Sequence, residues 1–313
     1  MKKGPLYFAK VLLFGEYGII EDSKGLAIPY QSYKGGLKKT ENPTPDQKKS
    51  NRNLRTFYEY LHDLSRQGHP LIDLDFDAFA RDLDEGLYFD SDIPESYGLG
   101  SSGAIVAAVY ERYANNKISV LENLTSDKLL HLKKTFAAME DFFHGKSSGL
   151  DPLNSYLSVP ILIHSQDRLE ATGIPEKNPD GKGAIFLIDT GQSGKTGPMV
   201  QIFMEKLKNE GFRKMLKEEF IEYTNQCVHD FVKGNFTDLI QHVKQLSGTV
   251  YRHFQPMIPV QVRDIWKKGM ESGDFYLKLC GSGGGGYILG FTDDIEKTKE
   301  QLKDYKLEVI YRF

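Results

Sequence analysis

The chain has 313 residues, long enough for one large or two ordinary domains, each with a sizeable core. Hydrophobic residues make up 40% and charged residues 27%, the balance of a folded globular protein rather than a disordered or fibrous one. A formal net charge of -3 with no basic block argues against a dedicated nucleic-acid binder, so any anionic ligand must be held locally.

Cys227 and Cys280 form no CxxC pair and no repeated ligand spacing, which suggests neither a zinc site nor a disulfide scaffold and fits a reducing cytoplasm. Met1 to Phe14 opens basic and turns apolar, but Gly15-Glu16 follows where a signal peptide would carry its cleavage site, so a first strand is expected there. No run approaches the roughly 18 apolar residues of a membrane span, and a soluble protein without a membrane partner is expected.

In Leu6 to Phe14 the residues pointing to either side are apolar, which predicts a central strand. Lys10 interrupts it, and a lysine in such a strand needs a partner or a ligand, or must snorkel to the rim. Thr40 to Lys49 reads as a surface loop, and Asn51 to Arg66 as a helix ending at Gly68. Leu71 to Leu74 and Tyr88 to Ile93 read as short strands on either side of a helix near Phe76 to Leu83.

The segment PESYGLGSSGA, Pro94 to Ala104, then places Gly98 and Gly100 ahead of the apolar run Ala104 to Tyr110, a buried helix. Such a turn aims successive N–H groups at one spot, and the helix dipole adds to them, making an anion site suited to nucleotide phosphates. Gly98, Leu99, Gly100, Ser101, Ser102 and Gly103 are therefore candidate phosphate-binding residues; a simple helix cap after a tight turn is the alternative.

Leu129, Leu132, Phe136, Met139 and Phe143 recur at helical spacing, on a helix capped by Thr125 or Ser126 and stopping at Gly145. Glu140 lies one step off this stripe, where it can face a cleft. With Ser102 it offers the hard oxygen ligands that Mg²⁺ takes alongside phosphates; the alternative is a solvated helix face. In HGKSSGLDP, His144 to Pro152, Asp151 is the best acid–base candidate, or else a helix cap before Pro152. A buried cation beside a carboxylate is a common catalytic arrangement, which makes Lys10 the second candidate. His144, Cys227 and Cys280 are read as structural.

Ile161 to His164 and Ala184 to Asp189 read as strands, and the turn-rich Asn178 to Gly183 between them marks a domain boundary, giving domains 1–182 and 183–313. Asp189 to Thr196 ends in GKT, but the Walker spacing requires glycine where Asp189 stands. Helices are expected near Met199 to Lys208, Phe212 to Val232, Phe236 to Phe254 and Val260 to Ser272. Strands Tyr276 to Cys280 and Tyr287 to Phe291 follow, and the chain closes on a helix and the strand Leu307 to Tyr311. Between the first pair of these strands lies KLCGSGGGGY, a glycine density that suits close approach of a ligand or a second loop, with Gly281, Gly283 and Gly284 as phosphate candidates. The whole chain reads as α+β.

Taken in order, AKVLLFGEYGII, PESYGLGSSGA, FHGKSSGLD and KLCGSGGGGY resemble the characteristic segments of the GHMP kinases over nearly the whole chain. The HGxxSGxD segment is similar to mevalonate kinases in particular. The resemblance implies an N-terminal ribosomal-protein-S5-like domain, a C-terminal ferredoxin-like domain, and ATP and a small-molecule substrate in the cleft between them. It puts Asp151 and Lys10 on the catalytic positions and Ser102 and Glu140 on the magnesium positions. Glu16, Tyr17, Ser148, Thr196 and Gly284 fall toward the substrate. The implied reaction is transfer of phosphoryl from ATP, with Mg²⁺, to the C5 hydroxyl of mevalonate.

Two departures bear on the acceptor. Tyr17 stands where mevalonate kinases have His after Gly-Glu, a version found also in phosphomevalonate kinases, and Lys146-Ser147 is unusual before Ser148-Gly149. Phosphomevalonate, homoserine or a sugar is the alternative acceptor, with Lys146 as a cation for a phosphorylated one, and a non-catalytic nucleotide binder is the alternative class. The oligomeric state is left open, a homodimer among the options.

Overall fold

The computed structural model describes residues 5–121 and 123–313; the basic start at Met1–Gly4 lies outside the described residues. In chain order the elements are β1 (Tyr7–Phe14), β2 (Gly25–Lys39), α1 (Pro45–Arg66), α2 (Phe76–Asp84), β3 (Leu87–Ser91), α3 (Ser101–Tyr113), α4 (Ser126–His144) and α5 (Leu150–Leu157). They continue with β4 (Ile161–Ser165), β5 (Arg168–Ala171), β6 (Ala184–Asp189), α6 (Thr196–Lys206), α7 (Glu210–Met215), α8 (Ile221–Lys233), α9 (Phe236–His253) and α10 (Val260–Ser272). The last four are β7 (Tyr276–Leu279), β8 (Tyr287–Thr292), α11 (Ile295–Gln301) and β9 (Leu307–Arg312). Among the described residues no helix is long and apolar enough to cross a membrane.

Two compact units result, and the chain enters each more than once. The first takes in the residues up to Lys10, Pro29–Glu95 and Leu99–Val159; the second takes in Val11–Ile28, Ser96–Gly98 and Pro160–Phe313. The first sheet has the order β1-β2-β4-β5, with β3 also on β2. The long strand β2 changes partner along its length: Gly35–Lys39 pair with β3, and Gly25–Ala27 pair with β4. The second sheet, β7-β8-β6-β9, is antiparallel throughout and lies wholly in the second unit.

Several expectations need correction. The first strand is not central: among the described residues β1 stands at the end of its sheet's strand order. Its side chains are nonetheless largely buried, and other segments bond its backbone, the Lys10 N–H donating to Leu99 O at 2.9 Å and Ser155 Oγ to Phe8 O at 2.9 Å. Leu71 to Leu74 makes only an isolated bridge, Leu74 to Ala114, rather than a strand. The loop expected up to Lys49 is helix from Pro45 onward, because Thr44 and Gln47 form a reciprocal capping box and Pro45 occupies the first turn. The single helix expected over Phe212 to Val232 is α7 and α8 joined through a wide π turn at Leu216–Phe220.

In the first unit, α3 buries Ala104, Val106, Ala107, Ala108 and Val109, small enough to let α5 pack closely on it. Tyr110, Phe136 and Tyr156 meet edge to face between α3, α4 and α5. Thr125, one of the two expected caps, accepts the Lys128 N–H, and α4 stops at Gly145 with φ 78°. In the second unit, β6 is fully buried from Ala184 to Ile188, and the Trp266 indole donates to Ser247 Oγ at 2.9 Å.

Candidate active site

The first unit gathers the catalytic and magnesium candidates of the sequence, Lys10, Asp151, Ser102 and Glu140. Lys10, with a side chain only 5% exposed, reaches Asp151 Oδ1 with its Nζ at 2.9 Å. The lysine does not snorkel; it has a carboxylate partner on α5, whose own side chain is 36% exposed. Asp151 is not the cap of α5 either. Gly149 caps that helix with φ 71°, and Asp151 sits inside the first turn, where the helix dipole favours a negative charge.

Gly100 and Gly103 let α3 approach this pair. Gly100 caps α3 at φ 76°, and a Cβ there would meet Lys10 Cγ at 3.1 Å. A Cβ on Gly103 would stand 2.7 Å from the Asp151 carbonyl carbon and from the Pro152 nitrogen. Leu99 turns its side chain fully into the core, so only its backbone is available to a ligand. Ser101 and Ser102 occupy the first turn of α3.

Beside them Glu140 is buried, at 3% exposure, and the solvated-face alternative falls away. Ser102 Oγ donates to Glu140 Oε1 at 2.7 Å and Ser147 Oγ donates to Oε2 at 2.5 Å. Burial, and after it the Asp151 charge, pushes the Glu140 carboxyl up to about 7, against the opposing pull of Ser147, Ser102 and Lys10. His144 Nε2 lies 3.0 Å from Ser102 Oγ. His144 and Ser147 were not picked from sequence. His144 could have been found by its helical spacing from Glu140, whereas Ser147 carried no signal. Ser148 is exposed, and its hydroxyl accepts the Leu150 N–H at 3.4 Å.

The second unit holds the late glycine run and the remaining candidates. Glycines are required there because protein backbone crowds them. A Cβ on Gly98 would meet Cys280 O at 2.8 Å, one on Gly283 would meet Met257 O at 2.5 Å, and one on Gly285 would meet Ser193 O at 2.6 Å. A Cβ on Gly281 would stand 3.5 Å from Gly98 Cα, an ordinary van der Waals contact, so Gly281 runs close to Gly98 without being crowded by it. The Gly284 N–H is already given to Met257 O at 2.7 Å, and the Gly286 N–H to Gln192 O at 2.6 Å.

Glu16 points inward: its Oε1 pairs with Lys278 Nζ at 2.6 Å, both side chains buried. Tyr17 holds φ 59°, its hydroxyl donates to Ser282 O at 2.5 Å, and its ring packs on Phe203 and Phe254. Burial, and then the Glu16 charge, raises the phenol above its ordinary range. Thr196 opens α6, and its hydroxyl accepts from Ser282 Oγ at 3.3 Å. Lys278 escaped the sequence reading, although it interrupts an apolar strand just as Lys10 does. Cys227 and Cys280 are buried thiols, and burial pushes Cys227 well up, which keeps it protonated and inert.

A hard divalent cation fits this chemistry. Ser102 and Glu140 set a hydroxyl and a carboxylate side by side, and a carboxyl held near neutrality by burial is one that a cation would ionise. Among the described residues no group of three or more acidic, His or Cys side chains is placed to hold a metal ion by itself.

Residues 71–158, the segment holding α3, α4 and α5, match the family model described as the GHMP kinases N terminal domain. This segment is thus similar to a GHMP-kinase N-terminal domain, and the chain has the two-domain α+β fold of the solved structures like it. Among solved structures like it is L. major mevalonate kinase in complex with R-mevalonate, with TM-score 0.65 and 17% identity, covering 100% of this chain and 97% of that one. Streptococcus pneumoniae phosphomevalonate kinase, in complex with phosphomevalonate and AMPPNP, has TM-score 0.63 and 17% identity over 98% of both chains. Lactococcus lactis galactokinase complexed with galactose has TM-score 0.63 and 12% identity, covering 98% of this chain and 92% of that one. No curated protein matches the sequence.

Proposed function

We propose that the chain transfers the γ-phosphoryl group of ATP to the C5 hydroxyl of mevalonate, giving 5-phosphomevalonate and ADP. The observation that carries the reading is the Lys10–Asp151 pair at the N-terminal turn of α3, with Glu140 and Ser102 beside it. A purely structural cluster has little need to bury a lysine, and a carboxylate raised to about 7, around a glycine-capped helix start.

In this reading Asp151 accepts the acceptor's hydroxyl proton as the oxygen bonds to the γ-phosphorus and the bond to the ADP oxygen breaks. Lys10 holds Asp151 in place through their ion pair and faces the charge that develops on the transferring oxygens. Amides of the Gly98–Gly103 turn, with the α3 dipole behind them, bind phosphate. Ser102 and Glu140 hold Mg²⁺, which neutralises phosphate charge when bound. The binding-only alternative leaves the joint presence of Lys10, Asp151 and Glu140 without a purpose.

The acceptor rests on the HGxxSGxD segment and on likeness to mevalonate kinases. Phosphomevalonate is the second reading, favoured by Tyr17 after Gly15-Glu16 and by the exposed Lys146. ADP release measured with mevalonate, phosphomevalonate, homoserine and galactose separates them. Turnover is expected with mevalonate; release with phosphomevalonate alone would replace the acceptor, and ATP binding without any product would remove the enzyme reading.

A further inference from the structure

The link between α4 and α5, residues 145–149, carries a hydroxyl whose placement is more constrained than a turn requires. Ser147 Oγ donates to Glu140 Oε2 at 2.5 Å and accepts the Gly149 N–H at 3.0 Å, while the Ser147 N–H donates to Asp141 Oδ1 at 2.6 Å. Asp141 adjoins Glu140 on α4, and Gly149 caps α5, the helix that carries Asp151. The hydroxyl is therefore fixed from both helices that supply the site's acidic groups.

A buried carboxylate is costly unless its oxygens are bonded, and it turns freely unless they are bonded from fixed points. Ser102 serves Oε1 and Ser147 serves Oε2, so the carboxylate plane of Glu140 is set at both ends. The choice of donor matters as well. A lysine or arginine at this point would cancel the charge, whereas a hydroxyl holds the carboxylate and leaves its charge for a cation.

We propose, on the kinase reading above, that Ser147 is a positioning residue for the cation site, holding Glu140 so that Oε1 and Ser102 Oγ present one fixed pair of oxygens. Its contribution is geometric, made through its bonds to Glu140, Asp141 and Gly149.

The test is Mn²⁺ binding to the full chain in the presence of ADP, followed by electron paramagnetic resonance, for the parent protein, E140Q, S147A, S147C and S147T. Groups that orient metal ligands typically account for roughly 10-fold to 100-fold in affinity, and S147A is expected to lose that much. S147C keeps the volume with only a weak donor and should show the loss even if S147A does not fold. S147T returns the hydroxyl and should restore binding. At saturating Mg²⁺ the turnover of S147A should recover, a split that a mere loss of folding would not give. Parent-like Mn²⁺ binding in S147A and S147C, with binding lost in E140Q, would overturn the role of Ser147 and leave the kinase reading standing. Unchanged binding in E140Q would remove the metal assignment itself, and this inference with it.

Discussion

At the scale of single residues, the two acidic groups of the first unit make separable predictions. Glu140 is raised from an ordinary 4.5 to about 7 in the folded protein, so the stability it contributes is fully present below about pH 4.5 and lost as pH rises through about 7. Glutamine at 140 cannot ionise. In metal-free protein, E140Q should therefore gain on the parent between about pH 5 and pH 8, by on the order of a few kcal/mol. Thermal melts across that window are the measurement, and a constant gap between the two curves would sink the assignment. Asp151 is tested differently. Because Gly149 caps α5, Asp151→Asn removes no cap, but it strips the buried Lys10 of its carboxylate, so the variant should be destabilised, by less than the roughly 3–5 kcal/mol of a fully buried pair because Asp151 is partly exposed. Turnover should fall by roughly 10²-fold to 10⁴-fold, the usual share of a positioned acid–base group, with ATP binding retained. Near-normal steady-state turnover would reject Asp151 as the group at the acceptor hydroxyl. Lys10 and Glu140 were legible in sequence because a charge inside an apolar strand, or beside an apolar stripe, demands a reason. Ser147 was not, since a serine in a turn is ordinary and its importance comes from the two helices that converge on it.

At the scale of elements, local rules read well where they act alone and fail where a partner decides. The apolar run of α3 and the stripe of α4 announced helices, and Gly145 announced the stop. The strand β2 was missed because GLAIPYQSYKGGLKK has no sustained alternation: its first part is buried and its middle is exposed, as its pairing passes from β4 to β3. A Pro29 within it also argues locally against a strand. The central position expected for β1 failed for a related reason, since side chains buried on both faces do not require strands on both edges. The glycine segments show what sequence can and cannot give. Their density signalled close backbone approach, and the structure supplies it at Gly98 against Cys280, Gly103 against Asp151 and Gly283 against Met257. Which of their amides stay available for phosphate is a tertiary matter: Gly284 gives its N–H to Met257, a residue far away in the chain.

At the scale of the whole molecule, the chain's threading decides what can stand alone. The turn-rich Asn178 to Gly183 is visible in sequence, but the unit holding β6 to β9 also takes Val11–Ile28 and Ser96–Gly98 from far upstream. Those borrowed segments are integral to it. Phe14 stacks on Phe291 at 5.4 Å, Tyr17 packs on Phe203 and Phe254, and Glu16 is the carboxylate partner of the buried Lys278. A buried charge stripped of its partner costs about 3–5 kcal/mol, comparable with the total stability of many domains. The piece 183–313, made alone, would lose this carboxylate and all three aromatic contacts, and would lose as well the Tyr97–Gly98 backbone against which Gly286 and Gly281 close. It is expected to show no cooperative thermal unfolding and to expose apolar surface to a hydrophobic dye. Replacing Lys278 by Met in that piece should improve its behaviour, because it removes the unpaired charge, whereas the same change in the full chain should destabilise by leaving Glu16 buried without its cation. A sharp, reversible melt of the unaltered piece would show that the upstream segments only decorate the unit, and that the Glu16–Lys278 pair is dispensable to its fold.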